Sequence, residues 1–223
     1  MAVQKLTRRL TYPPTLVAQV QRAVQGRPLE GFVPGEGPFP TRVMVVGEAP
    51  GRQEIETGHP FVGASGQELT KLLALAGLQR SAVYITSVVR SRPYHLRHGQ
   101  DRAGRAVVKR PNRTPTKREV AAFAPLFDWE IATVAPEIVI PLGNTALQRL
   151  VGPQATIGAL HGQVLKTPVL TWQDDQYSPG NKPVWVVPMY HPAAYLYARR
   201  LEATVRNDWA QLGAWLQAQY TDH

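Results

Sequence analysis

The chain has no cysteine anywhere in its 223 residues. Disulfides, thiolate zinc sites, iron–sulfur clusters and cysteine nucleophiles are therefore excluded together, and thiol usage says nothing about compartment. Acids are scarce as well: 16 Asp and Glu stand against 25 Lys and Arg, a formal charge of +9. Apolar runs are short. None approaches the ~20 residues that span a bilayer, and the opening stretch, MAVQKLTRRLTYPP, lacks the apolar core of a secretory leader. The expectation is a soluble, cytoplasmic protein with no membrane partner.

What the chain does have is apolar material, 43% of residues, enough at this length for one domain or at most two, with one favoured. Its positive charge is concentrated. Residues 90–118 hold ten Lys or Arg and a single acid, Asp101, an excess equal to that of the entire chain, so the remainder is neutral. Such a segment fits a polyanion, nucleic acid being the commonest; a solvated basic loop without a ligand is the plainer alternative.

Glycine and proline punctuate the first forty residues. After a short predicted helix over 15–25, GRPLEGFVPGEGPFP forbids regular structure, so 1–40 reads as an N-terminal arm laid over the domain. The run VMVV at 43–46, closed by Gly47, predicts an interior parallel strand, because a strand covered on both faces is apolar throughout. Further strands are predicted at 82–89, 137–142, 163–171 and 183–188, the last two joined by a polar loop, WQDDQYSPGNK. Helices are predicted over 65–76, over 117–134 behind a Thr116–Glu119 capping box, from 144 to near 151, and over 199–218. Strands alternating with helices predict an α/β fold: a three-layer α/β/α sandwich around a central, mainly parallel four-stranded sheet. The expected organisation is a single domain over 1–223, with 90–118 as a basic loop insertion.

Open α/β sheets bind ligands at the carboxyl ends of their strands. That rule places Glu48, Glu54, Glu56, His59 and Phe61 of GEAPGRQEIETGHPFVG where a pocket is expected. Residues 189–196, MYHPAAYL, follow the apolar strand VWVVP and are expected at the same edge. Together these segments resemble the uracil-DNA glycosylase superfamily, and in particular its family-four branch. The first motif of that branch runs GEAPG, an acid, then G-x-PFVG; its last motif begins His-Pro-Ala. Gly47 to Gly51, Glu54, Gly58, Pro60 to Gly63 and His191 to Ala194 match in order. ITSVV at 85–89 with Arg92 and Pro93 resembles the family's ITNVVKCRP, and Pro141-Leu142-Gly143 resembles the strand before its fourth helix. The likeness extends over 42–209.

The resemblance implies a monofunctional DNA glycosylase that flips uracil, or a related deaminated base, out of DNA and hydrolyses its N-glycosidic bond, initiating base excision repair. No Lys stands in a motif position to form a Schiff base. It implies that His191 donates to the uracil 2-carbonyl, and that Glu48, or secondarily Glu54, serves the cationic sugar and its water. Gly47, Ala49, Phe61 and Ser87 would form the base pocket, Phe61 as its stacking face. DNA would be met by Ser65 and Gly66 at one helix start and by Gly143 and Asn144 at another. Tyr195 or Leu196 would enter the duplex, Arg199 and Arg200 would hold phosphates, and Arg105, Lys109 and Arg110 of the basic segment would add to them.

The chain also departs from the family pattern. Ala49 stands where other branches carry a catalytic Asp, and Ser87 where the family reads uracil with Asn. Ser91 and Phe123 replace two of the family's cluster cysteines, so no cofactor and no metal site are expected, while His161-Gly162 replaces an Arg-Gly pair. These departures keep a second reading open: a catalytically weak member that binds DNA or recognises damage. A small-molecule nucleoside or phosphate-ester hydrolase is disfavoured by the basic segment. The expected partner is DNA containing uracil or another deaminated base, and the expected state a monomer.

Overall fold

The computed structural model describes residues 8–221; the first seven residues of the expected arm lie outside that range. The rest of the arm forms β1 (Arg8–Arg9), α1 (Pro14–Ala23), β2 (Leu29–Glu30) and β3 (Glu36–Gly37). Helix α1 opens on Pro14, where a missing N–H costs nothing. Strand β4 (Val43–Gly47) is buried along its whole length, as its unbroken apolar run requires. It leads into α2 (Arg52–Thr57), α3 (Ala64–Leu75) and then β5 (Tyr84–Ser87), also buried throughout.

The basic segment is more ordered than a loop. It contains β6 (Arg92–Pro93), which pairs with β2, and a hairpin of β7 (Arg97–Gln100) and β8 (Ala106–Lys109). Thr116 and Glu119 cap each other at the start of α4 (Lys117–Val134) as the sequence predicts. There follow β9 (Ile138–Pro141), α5 (Asn144–Val151), α6 (Ile157–Leu160), β10 (Leu165–Gln173), β11 (Gln176–Val186), α7 (Ala194–Tyr197) and α8 (Glu202–Thr221).

The main sheet runs β1-β3-β5-β4-β9-β11-β10. Its centre, β5-β4-β9-β11, is the parallel four-stranded unit expected. The full sheet is wider, seven strands, because β3 and β1 extend one edge antiparallel and β10 extends the other. Two of the extra strands are only two residues long, too short for a period-2 pattern to register. The polar stretch between the last two strands is a hairpin rather than a loop: β10 and β11 pair through Gln173 and Gln176, turning at Asp174 and Asp175, both at positive φ.

Successive residues of β4 serve opposite faces. Val43 and Val45 join Leu69, Leu72 and Trp209 beneath α3 and α8, whereas Met44 and Val46 join Phe123, Leu126 and Phe127 of α4. That division makes the three layers. A buried polar knot ties the arm to this frame. The Glu130 carboxylate accepts hydrogen bonds from the hydroxyls of Tyr12 (2.7 Å), Tyr84 (2.8 Å) and Thr86 (3.1 Å), and pairs with the buried Arg90. Tyr12 in turn accepts from the Gly35 amide. No helix among the described residues is long and apolar enough to cross a membrane.

Candidate active site

The parallel strands end on one rim, and the loops that leave them enclose a cavity of about 860 Å³. Several chain segments far apart in sequence meet there. Leu142, just past β9, bridges to Met189 beyond β11, and the Gly143 amide donates to the Met189 carbonyl at 3.0 Å. This pairing carries His191 to the start of α5 and to the end of β4, so that Glu48, Ala49, Phe61, Ser65, Ser87, Gly143, Asn144 and His191 all line the cavity.

Phe61 is held in an unusual conformation, φ +52°, in the left-handed region that residues with a Cβ rarely adopt. Two glycines make room for it. A Cβ on Gly47 would sit 2.6 Å from the Phe61 ring, and a Cβ on Gly66 would sit 1.8 Å from its carbonyl oxygen. Glu54 pins the loop: its carboxylate accepts from the amides of Gly51 (3.1 Å), Val62 (3.0 Å) and Gly63 (2.9 Å). Glu54 thus spends its oxygens on the backbone. Gly47 and Gly66 are buried and do not line the cavity; the Gly66 amide already donates to the Gly63 carbonyl. Both glycines thus support Phe61 through close backbone packing rather than lining the cavity themselves.

His191 is half-buried, its ring 6.1 Å from that of Phe61. Its Nδ1 accepts the Ala193 amide at 3.2 Å, which leaves the proton of a neutral ring on Nε2. Burial lowers the His191 pKa, favouring that neutral form. Glu48 feels the opposite pull: burial raises its pKa, and hydrogen bonds from Thr145 and Thr114 partly counter it. Thr145 Oγ1 donates to Glu48 Oε2 at 2.5 Å. Ser87 is buried and donates to the Val89 carbonyl at 3.1 Å, so its hydroxyl faces any ligand as an acceptor only.

Several polar cavity residues were not singled out from sequence, Asn112, Thr114 and Thr145 among them. Each is brought in by folding rather than by a motif. Arg113 clamps Glu119 with two 2.7 Å bonds, fixing the turn that carries Asn112 and Thr114. Asn112 Oδ1 accepts Arg92 Nε at 2.5 Å, while its amide nitrogen makes no hydrogen bond among the described residues. The NRTPT run beside a capping box was the available signal.

Other expected residues lie further out. Glu56 pairs with Arg52 and His59 with Glu36, both on the surface. Asn144 does line the cavity, with its Oδ1 engaged by the Ile157 amide. Tyr195 is buried and its hydroxyl donates to Glu68, so it is not free to enter a duplex. Its neighbours are: Leu196 is 47% exposed and Tyr197 90%. Arg199 and Arg200 are exposed beside them. Arg105 pairs with Asp101 at 2.8 Å and Arg110 with Glu30 at 3.2 Å, while Lys109 has no ion pair among the described residues; none of the three lines the cavity. His161 pairs with Asp208 at 2.8 Å and lies against Tyr190.

A sequence model described as the Uracil DNA glycosylase superfamily matches residues 34–218. The chain belongs to the uracil-DNA glycosylase superfamily. Curated relatives named type-4 uracil-DNA glycosylase include one from Archaeoglobus fulgidus, 34% identical over 82% of this chain and 80% of its own. Others come from Pyrobaculum aerophilum, 36% identical over 80% of each chain, and Thermotoga maritima, 35% identical over 76% of this chain and 74% of its own. This member of the superfamily does not fit the iron–sulfur cluster that its family-four likeness implies. Thiolate ligands are lacking throughout. Where two of them would stand, Phe123 is packed into the core and Ser91 donates to the Gly31 carbonyl at 2.7 Å. Among the described residues no group of three or more His, Asp or Glu is placed to hold a metal.

Proposed function

We propose that the protein is a monofunctional uracil-DNA glycosylase that flips the damaged nucleotide out of DNA and hydrolyses its N-glycosidic bond. The observation that carries this reading is the meeting, in one cavity, of a histidine whose Nδ1 is already engaged by an amide, a carboxylate held by Thr145 and a strained aromatic platform. Uracil leaves the stack at a cost of about a few kcal/mol and rests on Phe61. As the bond between C1′ and N1 breaks, its electron pair passes to the uracil ring, where charge collects on O2. The His191 Nε2 proton donates to that oxygen. The sugar is left cationic, and the Glu48 carboxylate stabilises it while taking a proton from the water that adds to C1′. Asn112 supports this water through its free amide nitrogen. The products are free uracil and an abasic site.

Around the pocket, Ser65 and the first turn of α5 face phosphates, and Arg199 and Arg200 extend that contact. Tyr197 and Leu196 replace Tyr195 as the residues that fill the gap left by the base. Ser87 accepts from uracil N3–H, a donor that cytosine lacks at that position. Incubation with uracil-containing single- and double-stranded oligonucleotides, followed by alkali, tests the reading through strand breaks at uracil. A specific observation favours the second reading, a weak member that recognises damage without efficient cleavage: Ser87 already donates its proton to Val89. Salt-sensitive DNA binding without breaks at uracil, hypoxanthine or xanthine would sink the glycosylase and leave that alternative.

A further inference from the structure

Outside the cavity lining itself, the β7–β8 hairpin carries unpartnered charge on very little structure. It pairs Arg97 with Lys109, His98 with Val108, Gly99 with Val107 and Gln100 with Ala106. Its turn is fixed from within: Asp101 accepts from the amides of Ala103 (2.8 Å) and Arg105 (3.0 Å) and from the Arg105 guanidinium (2.8 Å). The strands, by contrast, are solvated; apart from the half-exposed Val107, every strand residue is exposed. A two-stranded ribbon of this size gains little from burial.

Its register adds a penalty. Arg97 and Lys109 are direct cross-strand partners on one face, a like-charge pair that weakens a ladder. Neither they nor Arg102 in the turn make an ion pair among the described residues. A polyanion laid along that face relieves the repulsion. Apolar surface is exposed here too, with Leu96 56% and Val108 53% exposed. Place matters equally. Arg97, Val108, Lys109 and Arg110 line a 670 Å³ groove together with Glu30 and Arg92 and with Arg52, Ile55 and Glu56 of α2, and Arg52 lines both this groove and the main cavity. The ribbon therefore stands directly beside the base pocket.

We propose that β7–β8 is a groove-binding ribbon that grips duplex DNA flanking the flipped nucleotide, with Arg97, Arg102 and Lys109 on phosphates and Leu96 and Val108 against the groove wall. The assignment rests on the glycosylase reading for its placement. The dimensions agree: two strands about 4.8 Å apart fit within a major groove about 12 Å wide, which admits a two-stranded ribbon. Phosphate contacts of this kind set register without reading sequence. A single strand has no groove, so the ribbon acts on duplex.

The test replaces the three cations together, Arg97→Gln, Arg102→Gln and Lys109→Gln. Three substrates are compared: a uracil-containing duplex, its single strand, and the same duplex with thymine for uracil. For both duplexes the slope of log affinity against log salt should flatten by roughly 2–3, and the duplex to single-strand ratio of kcat/KM should fall about tenfold. The charge-conserving pair Arg97→Lys and Lys109→Arg should keep the wild-type slope. Equal losses on duplex and single strand, or an unchanged slope, overturn the ribbon. Wild-type protein that excises no uracil, with a thymine-duplex slope that still depends on the hairpin, defeats the glycosylase reading and leaves the ribbon standing. Should the triple variant fail to fold, Arg97→Gln and Lys109→Gln singly carry the test, each expected to shift the slope by about 0.9.

Discussion

At the scale of single residues, His191 and Glu48 make opposite demands on pH. A neutral donor with a lowered pKa needs no protonation, so activity should stay level as pH rises from 6 to 8; a steep loss over that range would show that imidazolium is the working form. Glu48 works ionised, and its raised pKa places the acid limb above the ordinary carboxylate range. Removing the Thr145 donor with Thr145→Val takes away a lowering influence and should move that limb further up, read from kcat/KM against pH. His191→Ala should cost about 10²–10³ in kcat, and Glu48→Gln about 10²–10⁴; wild-type turnover in either would refute its role. Glu48→Gln should also stabilise. Because the folded state holds this proton more tightly than the unfolded chain, stability from Glu48 falls as pH rises through its raised pKa. The variant should therefore melt above wild type at neutral pH, by roughly 2–4 °C per kcal/mol regained, with the gap closing in acid.

At the scale of elements, α7 shows why register has to be seen. Tyr195 and Tyr197 share a short helix, yet one is buried and the other almost wholly exposed. Tyr197→Ala should lower excision from duplex more than from single strand, measured as the ratio of kcat/KM, because only a duplex leaves a gap to fill. The β4 strand and the capped start of α4 were legible because each depends on local chemistry, an unbroken apolar run and a Thr-x-x-Glu signature. Strand β7 was not, since Arg-His-Gly-Gln carries no apolar alternation. Thr145 and Asn112 were equally silent: what makes them cavity residues is the side chains they meet, Glu48 at a separation of 97 positions and Arg92 at a separation of 20.

At the scale of the molecule, charge and core are segregated. The excess charge lies in residues 90–118, while the two apolar clusters form around the sheet. The fold class was readable because strand and helix alternation depends on whole-chain patterning; the antiparallel edges were not, because short strands take their pairing from neighbours. Stability depends on the arm as well. Tyr12→Phe should cost about 1–3 kcal/mol in denaturant unfolding, as a buried carboxylate loses a donor. Glu130→Ala should cost about 3–5 kcal/mol, since Arg90 is left buried without its counter-charge.

The Glu130 knot reaches from Tyr12 to Thr86, the residue before Ser87 in the cavity wall. The superfamily match begins only at residue 34. A fragment trimmed to that match keeps the recognisable motifs yet discards Tyr12, and with it one of the bonds that position the strand under the pocket. The boundary drawn by family likeness thus cuts through a buried polar network: the shortest piece that looks like the family lacks one of the donors that hold the Glu130 carboxylate beneath its pocket.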